Sequence, residues 1–353
     1  MQIIDADCHV IESERTWDYM DPSDAEYRPK PVPLSDDSAV RAARWTIEGR
    51  PERSSASKTT GRTTRDAVSG YEHTTVATRT LDDLDARLAH MDTLGVDAQV
   101  LYPTIYLGQI STKSEIDLAL AKSYNRWLAD IWAQANGRLR WVAIPPLLTM
   151  GEVPNQLRYA KEHGACGVYM RGFEGDKLLV DPYFDPLYEE ASALDMPICI
   201  HAGSGSNEFD ELVRGEAFTR AKFPVISAFH SLILHETHAR FPDLRFGFIE
   251  VAAQWLPYVL TDLKRRMERE GKAPLSSDPL AEYNMYVACQ TNDDLPEIMR
   301  YVGEDNLVIG SDYGHNDTST ELEALRAFAN DGGVEERVVT KILTDNPRRL
   351  YGF

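Results

Sequence analysis

Short apolar runs alternate with amphipathic stretches along all but the first quarter of this chain, and that rhythm restricts the fold more than any single motif. The runs fall at residues 3–9, 97–103, 139–145, 166–171, 197–201, 244–251, 285–290 and 307–312. Between them, apolar residues recur at helical spacing near 84–95, 115–135, 153–163, 183–194, 224–240, 256–270 and 295–302, with more after 322. Leu84, Leu88, Met91 and Leu94 show the period, with charges between them. Strands that alternate with helices point to a parallel sheet with crossover helices. Eight such units in 353 residues predict an α/β chain folded as a (β/α)8 TIM-type barrel. The rival, an open nucleotide-binding sheet, normally carries a glycine-rich turn after its first strand. Here the polar sequence Ala6-Asp7-Cys8-His9 stands in that place.

That first strand is chemically unusual. With side chains alternating, Asp5, Asp7 and His9 share one face and Ile4, Ala6, Cys8 and Val10 the other. Two carboxylates and an imidazole are costly to bury without a partner, and a divalent metal suits all three. The alternative is a polar strand end in a solvated turn. In a barrel of this kind, active sites form at the C-terminal ends of the strands. Polar residues stand at several of those ends: Asp7 and His9 on the first, His201 on the fifth, Glu250 on the sixth, and Asp312 with His315 on the eighth. Each has a structural alternative. His201 could cap a strand, Glu250 could pair with Lys264, Arg265 or Arg266, and Asp312 could cap a turn. Three further histidines, His230, His235 and His238, read as surface residues of one helix, with one of them leaning into the site as the alternative.

Residues 13–80 differ from the rest, and they predict an insertion after the first strand of a single 1–353 domain. The segment is rich in Pro, Ser, Thr and Arg. A small hairpin is expected at 41–50 around Glu48-Gly49, and 54–64 reads as mobile. A long polar loop of this kind serves as a lid, a binding loop or an oligomer contact, or is merely solvated.

Charge and composition exclude some partners. The formal net charge is −19, which disfavours nucleic acid and anionic membrane surfaces. No apolar run approaches the roughly 20 residues of a membrane span, and no signal peptide is visible. Cys8, Cys166, Cys199 and Cys289 are far apart in apolar stretches, so buried free thiols and a cytoplasmic setting are expected.

Taken together, six segments resemble a known family. They are IDADCHVIE at 4–12, RLAHMDTLGVDAQVLYPT at 87–104, PICIHAGSG at 197–205, RFPDLRFGFIEVAAQWLPYVL at 240–260, VIGSDYGHND at 308–317 and ILTDNPRRLYGF at 342–353. Nearly end to end, the chain resembles the amidohydrolase superfamily, in the branch that includes the aminocarboxymuconate-semialdehyde decarboxylase relatives. The resemblance implies a distorted (β/α)8 barrel holding a divalent metal, zinc in the first place and manganese or iron as alternatives. It places the ligands on Asp7, His9, His201 and Asp312. Many relatives carry a histidine at the end of the sixth strand, where this chain has Glu250. The fourth strand lacks the lysine that bridges two metals in other superfamily members.

The resulting expectation is a metal-dependent hydrolase or non-oxidative decarboxylase acting on a small organic substrate, carboxylated or aromatic. Asp312, Glu250 and His315 are the candidate catalytic groups. Arg171 is a candidate for holding a substrate carboxylate, with pairing to Glu174 or Asp176 as the alternative. Trp255 could line the substrate pocket beside Trp17, Tyr106 and Phe173, with core or helix packing as the alternative for each. Two other readings remain open. One is a two-metal iron or manganese oxygenase, in which extra acids among Asp5, Asp7, Glu12, Glu250 and Asp312 hold the second metal. The other is a non-catalytic subunit supporting a partner chain. A homo-oligomer, or an assembly with a related chain, is expected by association with relatives.

Overall fold

A computed structural model describes residues 1–32, 45–51 and 73–353. Eight strands form one sheet: β1 Ile4–His9, β2 Ala98–Tyr102, β3 Leu139–Ala143, β4 Ala165–Arg171, β5 Ile198–His201, β6 Phe246–Ile249, β7 Met285–Cys289 and β8 Leu307–Ile309. Each pairs in parallel with the next in chain order. The loop after β8 closes the ring on β1. Asp312 N–H donates to Asp7 O at 2.9 Å, and His9 N–H donates to Tyr313 O at 2.6 Å. A helix follows every strand: α1 Leu84–Leu94, α2 Ser114–Gln134, α3 Val153–Glu162, α4 Asp185–Ala193, α5 Phe223–Leu234, α6 Leu256–Arg269, α7 Leu295–Val302 and α8 Ala324–Asn330. The fold is a (β/α)8 barrel.

Local chemistry explains the boundaries. Asp83 caps α1 by accepting from Ala86 N–H at 2.9 Å, and Gly95 ends it at φ 74°. Asp294 caps α7, with Pro296 in its first turn. Strands covered on both faces are buried almost throughout, which is why they read as apolar runs. The stretch 224–240, expected as one helix, is two. Glu236 adopts φ 55° after α5, and a short turn of helix, Thr237–Arg240, follows.

Within the insertion, Trp45–Ile47 pairs antiparallel with Arg50–Pro51. Glu48 and Gly49 between them both have positive φ, at 54° and 74°, as a tight hairpin turn requires. The expected hairpin is therefore present over 45–50, while residues 41–44 and the stretch 54–64 lie outside the described residues. All four cysteines are buried and free. Among the described residues, no helix is long and apolar enough to cross a membrane.

The seam between β8 and β1 positions the site. Asp5 Oδ1 accepts from Ser311 N–H at 2.8 Å and its Oδ2 from Ser311 Oγ–H at 2.5 Å. Gln99 and Arg87 extend this buried network: Arg87 Nε donates to Gln99 Oε1 at 2.8 Å. Gly310 is required here, because a Cβ at that position would collide with the Cβ of Asp7.

Candidate metal centre and cavity

Six of the residues picked out at strand ends meet in space. His9 Nε2 lies 3.2 Å from His201 Nε2, 3.6 Å from Asp7 Oδ1 and 3.4 Å from Asp312 Oδ1. His201 Nε2 lies 3.3 Å from Asp7 Oδ1 and 3.4 Å from Glu250 Oε2. His315 Nδ1 lies 2.9 Å from Asp312 Oδ1, and its ring stacks on His9 at 3.6 Å. All six residues are buried. Glu250 and Asp312 both adopt left-handed backbone, at φ 63° and 53°, which turns the chain sharply at the ends of β6 and β8. Such outliers cost of order 1 kcal/mol or more and persist where the surroundings hold them.

The donor chemistry fits a cation. His9 Nδ1 lies 3.0 Å from the carbonyl of Pro103, and His201 Nδ1 lies 3.0 Å from that of Ala202. A carbonyl only accepts, so each Nδ1 carries a proton, and each Nε2 presents a lone pair when its ring is in the neutral form. Two lone pairs then face each other among carboxylate oxygens, an arrangement that a shared positive ion reconciles. Donors held about 2.1 Å from one ion in tetrahedral directions stand about 3.4 Å apart, and the observed separations bracket that value. Asp312 Oδ1 is a buried oxygen without a hydrogen bond, while its Oδ2 accepts from Thr320 Oγ–H at 2.6 Å. Two buried groups that share His9, one with Asp7 and His201 and the other with Glu250, Asp312 and His315, could therefore hold a divalent ion.

His315 is fixed by its other nitrogen. Thr104 spends its hydroxyl proton on Val10 O at 2.7 Å, so its oxygen accepts from His315 Nε2–H at 3.0 Å. Protonation of the remaining groups follows from their surroundings. Burial, reinforced by Asp317 and Asp312, pushes the Glu250 carboxyl well above its usual range. Burial, with Asp317 and Asp7, does the same to Asp312. Burial, then the neighbouring His315 and His201, lowers His9 strongly. For His201 burial acts downward, but Asp7 and Glu250 outweigh it and raise the ring.

A cavity of about 930 Å³ stands against this cluster. Glu250 belongs to both, and Trp255, Phe218, Ile226, Arg220 and Lys222 also line the cavity. The cluster is thus not a closed structural site, which weighs against the supporting-subunit reading. Trp255 is fixed by donating from Nε1 to Ala252 O at 2.8 Å and by an edge contact with Phe229.

Other expectations are corrected. Arg171 is not offered to this cavity. Its Nη1 donates to the carbonyls of Tyr106 and Gly108, and its remaining donors face Glu174, so the ion pair weighed as the alternative is what forms. Asp5 is spent on Ser311, and Glu12 accepts from Thr104 N–H and Ile105 N–H at 3.0 Å. Neither joins the metal-type clusters found among the described residues. Glu250 turns to His201 and away from the basic residues of α6. His230 pairs with Asp262, His238 lies on Tyr283, and His235 ends α5 in solvent. Trp17 packs on Trp45, and Phe173 on Phe209. Sequence reasoning missed Thr104, Thr320, Arg220 and Lys222. Thr104 follows the proline that ends β2, a detectable signal; Arg220 and Lys222 carry none.

Barrel and donor set define the class of metal-dependent barrel enzymes. Within it the chain belongs to the amidohydrolase family, whose model matches residues 4–353. Solved structures agree on the fold. An amidohydrolase of Mycobacterium avium subsp. paratuberculosis superposes with a TM-score of 0.75 at 20% identity, covering 99% of both chains. The manganese complex of 5-carboxyvanillate decarboxylase from Novosphingobium aromaticivorans gives 0.71 at 16% identity, over 100% of this chain and 96% of the other. A dihydroxybenzoic acid decarboxylase of Polaromonas sp. JS666, with manganese and 2-nitroresorcinol, gives 0.65 at 17% identity, over 99% and 97%. No curated protein matches the chain.

Proposed function

We propose that this protein is a metal-dependent, non-oxidative decarboxylase of small aromatic acids. One observation carries the reading. His9 Nε2 lies 3.2–3.6 Å from His201 Nε2 and from a carboxylate oxygen of Asp7 and of Asp312, beside a cavity of small-molecule size whose wall holds a further buried acid, Glu250. Relatives of the same fold that decarboxylate aromatic acids support the substrate class. Asp7, His9, His201 and Asp312 would hold the ion, zinc or, as in those relatives, manganese. When bound, the ion supplies Lewis-acid polarisation of a substrate oxygen.

The chain's own residues do the rest. Glu250, whose carboxyl burial and the neighbouring Asp317 and Asp312 push well above its usual range, stands on the cavity wall as the proton donor. It gives that proton to the ring carbon bearing the carboxylate. The carbon–carboxylate bond then breaks, its electron pair returns to the ring, and carbon dioxide leaves. Solvent reprotonates Glu250. Thr320 orients Asp312 through its Oδ2, and His315, held by Thr104, stands beside its Oδ1. Trp255 and Ile226 exclude water from the apolar side.

The test uses protein loaded with manganese or zinc and a panel of hydroxybenzoates in deuterated water. Carbon dioxide release with one deuterium at the vacated ring carbon is expected. Ester or lactone cleavage without carbon dioxide would replace this reading with a hydrolase on the same centre. A cytoplasmic homo-oligomer accompanies the proposal; light scattering on purified protein checks the assembly.

A further inference from the structure

We infer that Arg220 receives the anionic group of the substrate. The inference rests on the decarboxylase reading for the reaction, and on independent observations for the residue. Arg220 is half-buried in the wall of the 930 Å³ cavity. Its guanidinium forms no hydrogen bond or ion pair with any described residue. That is unusual in a chain with 56 acidic residues and 37 basic ones, where arginines such as Arg158, Arg171 and Arg240 each find a carboxylate. An arginine partly withdrawn from water without a counter-ion among the described residues leaves up to five donors for a group that enters the cavity.

The other cation of the wall is already committed. Lys222 Nζ donates to Ser319 Oγ at 3.1 Å. Of the two acids in the wall, Asp317 accepts from Ser319 N–H at 2.7 Å and Glu250 faces His201. Neither reaches Arg220. The surrounding surfaces are apolar and partly planar: Trp255, Phe218, Ile226 and Leu107. A flat body fits those walls, and a carboxylate meets the guanidinium fork through two parallel hydrogen bonds. In a protein of net charge −19, an anionic substrate also needs a local cation to offset the general repulsion. The structure therefore assigns Arg220 as a specificity residue for aromatic acids whose anionic group lies apart from the metal cluster. Aromatic dicarboxylates are favoured over monocarboxylates.

The experiment measures binding by calorimetry, in metal-free and in manganese-loaded protein. The probes are isophthalate, benzoate and the neutral isophthalamide. The variants are Arg220→Gln and Arg220→Lys, with circular dichroism as the check on folding. Wild type should bind isophthalate more tightly than benzoate. Arg220→Gln should weaken isophthalate about tenfold or more while leaving isophthalamide unchanged, and Arg220→Lys should fall between. Equal isophthalate affinities in wild type and Arg220→Gln, a parallel loss of isophthalamide, or no binding of either carboxylate by wild type would each overturn the assignment. Failure of the decarboxylase reading shows elsewhere, as absent metal uptake or absent carbon dioxide release by wild type. The Arg220 comparison in metal-free protein stands apart from both.

Discussion

His9 Nε2 stands 3.2 Å from His201 Nε2, and each ring has committed its other nitrogen to a backbone carbonyl. The donor chemistry of the pair fits an ion between β1 and β5. A metal held at a hundred times its dissociation constant adds about 2.7 kcal/mol to the folded state. Chelation should therefore lower the melting temperature of wild type, and His201→Ala should bind no stoichiometric metal and melt independently of chelator. Elemental analysis and differential scanning calorimetry check both. Full metal content in His201→Ala would remove His201 from the ligand set.

The second prediction concerns pH, and its sign differs between two forms of the protein. Glu250 and Asp312 are raised by burial and neighbouring acids, and His201 by Asp7 and Glu250 against the effect of burial. In metal-free protein these groups bind protons more tightly folded than unfolded. Their contribution to stability is full at low pH and is lost as pH rises through the folded values. In loaded protein the metal competes with the same protons, so affinity weakens as pH falls, by up to about tenfold per unit for each proton displaced. Melting curves of the two forms should thus converge on acidification from about pH 8 to 5. Parallel curves would contradict this.

Glu250 lines the cavity as well as the cluster, so its role separates from that of the ligands. Glu250→Gln keeps the shape and removes the proton. It should retain metal and lose about 10²- to 10⁴-fold in kcat, the usual worth of a positioned acid. An unchanged kcat would dismiss Glu250 as the proton donor. Loss of metal instead would move it into the ligand set.

Much of this was legible in the linear chain because the physics is local or periodic. Parallel strands buried on both faces leave apolar runs, and Gly95 and Pro103 mark the ends of their elements. The Asp7-x-His9 spacing puts two donors on one strand face whatever follows. The remainder depends on contacts that spacing does not encode. Arg171 looked available until β4 ran into a two-residue strand, Phe173–Glu174, that folds Glu174 back onto it. Asp5 shares a face with Asp7, but a register shift between Asp5 and Cys8 and the approach of Ser311 give it a different partner. Arg220 sits in a stretch without periodicity, and its position on the cavity wall arises only when the segment after β5 meets the end of β6.

A last prediction tests the second cavity, of about 170 Å³, lined by Asp117, Arg171 and Glu174. Burial pushes the Asp117 carboxyl up to about 6, although its Oδ2 accepts from Leu148 N–H at 3.1 Å and Arg171 acts the other way. The folded protein therefore holds this proton to about pH 6, whereas the unfolded chain releases it near 3.8. Between those values the native state binds more protons than the unfolded one, so stability falls as pH rises, by at most about 3 kcal/mol for a shift of about two units, and by less for a partly exposed group. Asp117→Asn keeps an oxygen for Leu148 and removes the titration. It should melt a few degrees above wild type at neutral pH, with a gap that opens between about pH 4 and 6 and stays constant beyond. A gap independent of pH would show that the variant acts through packing rather than through charge.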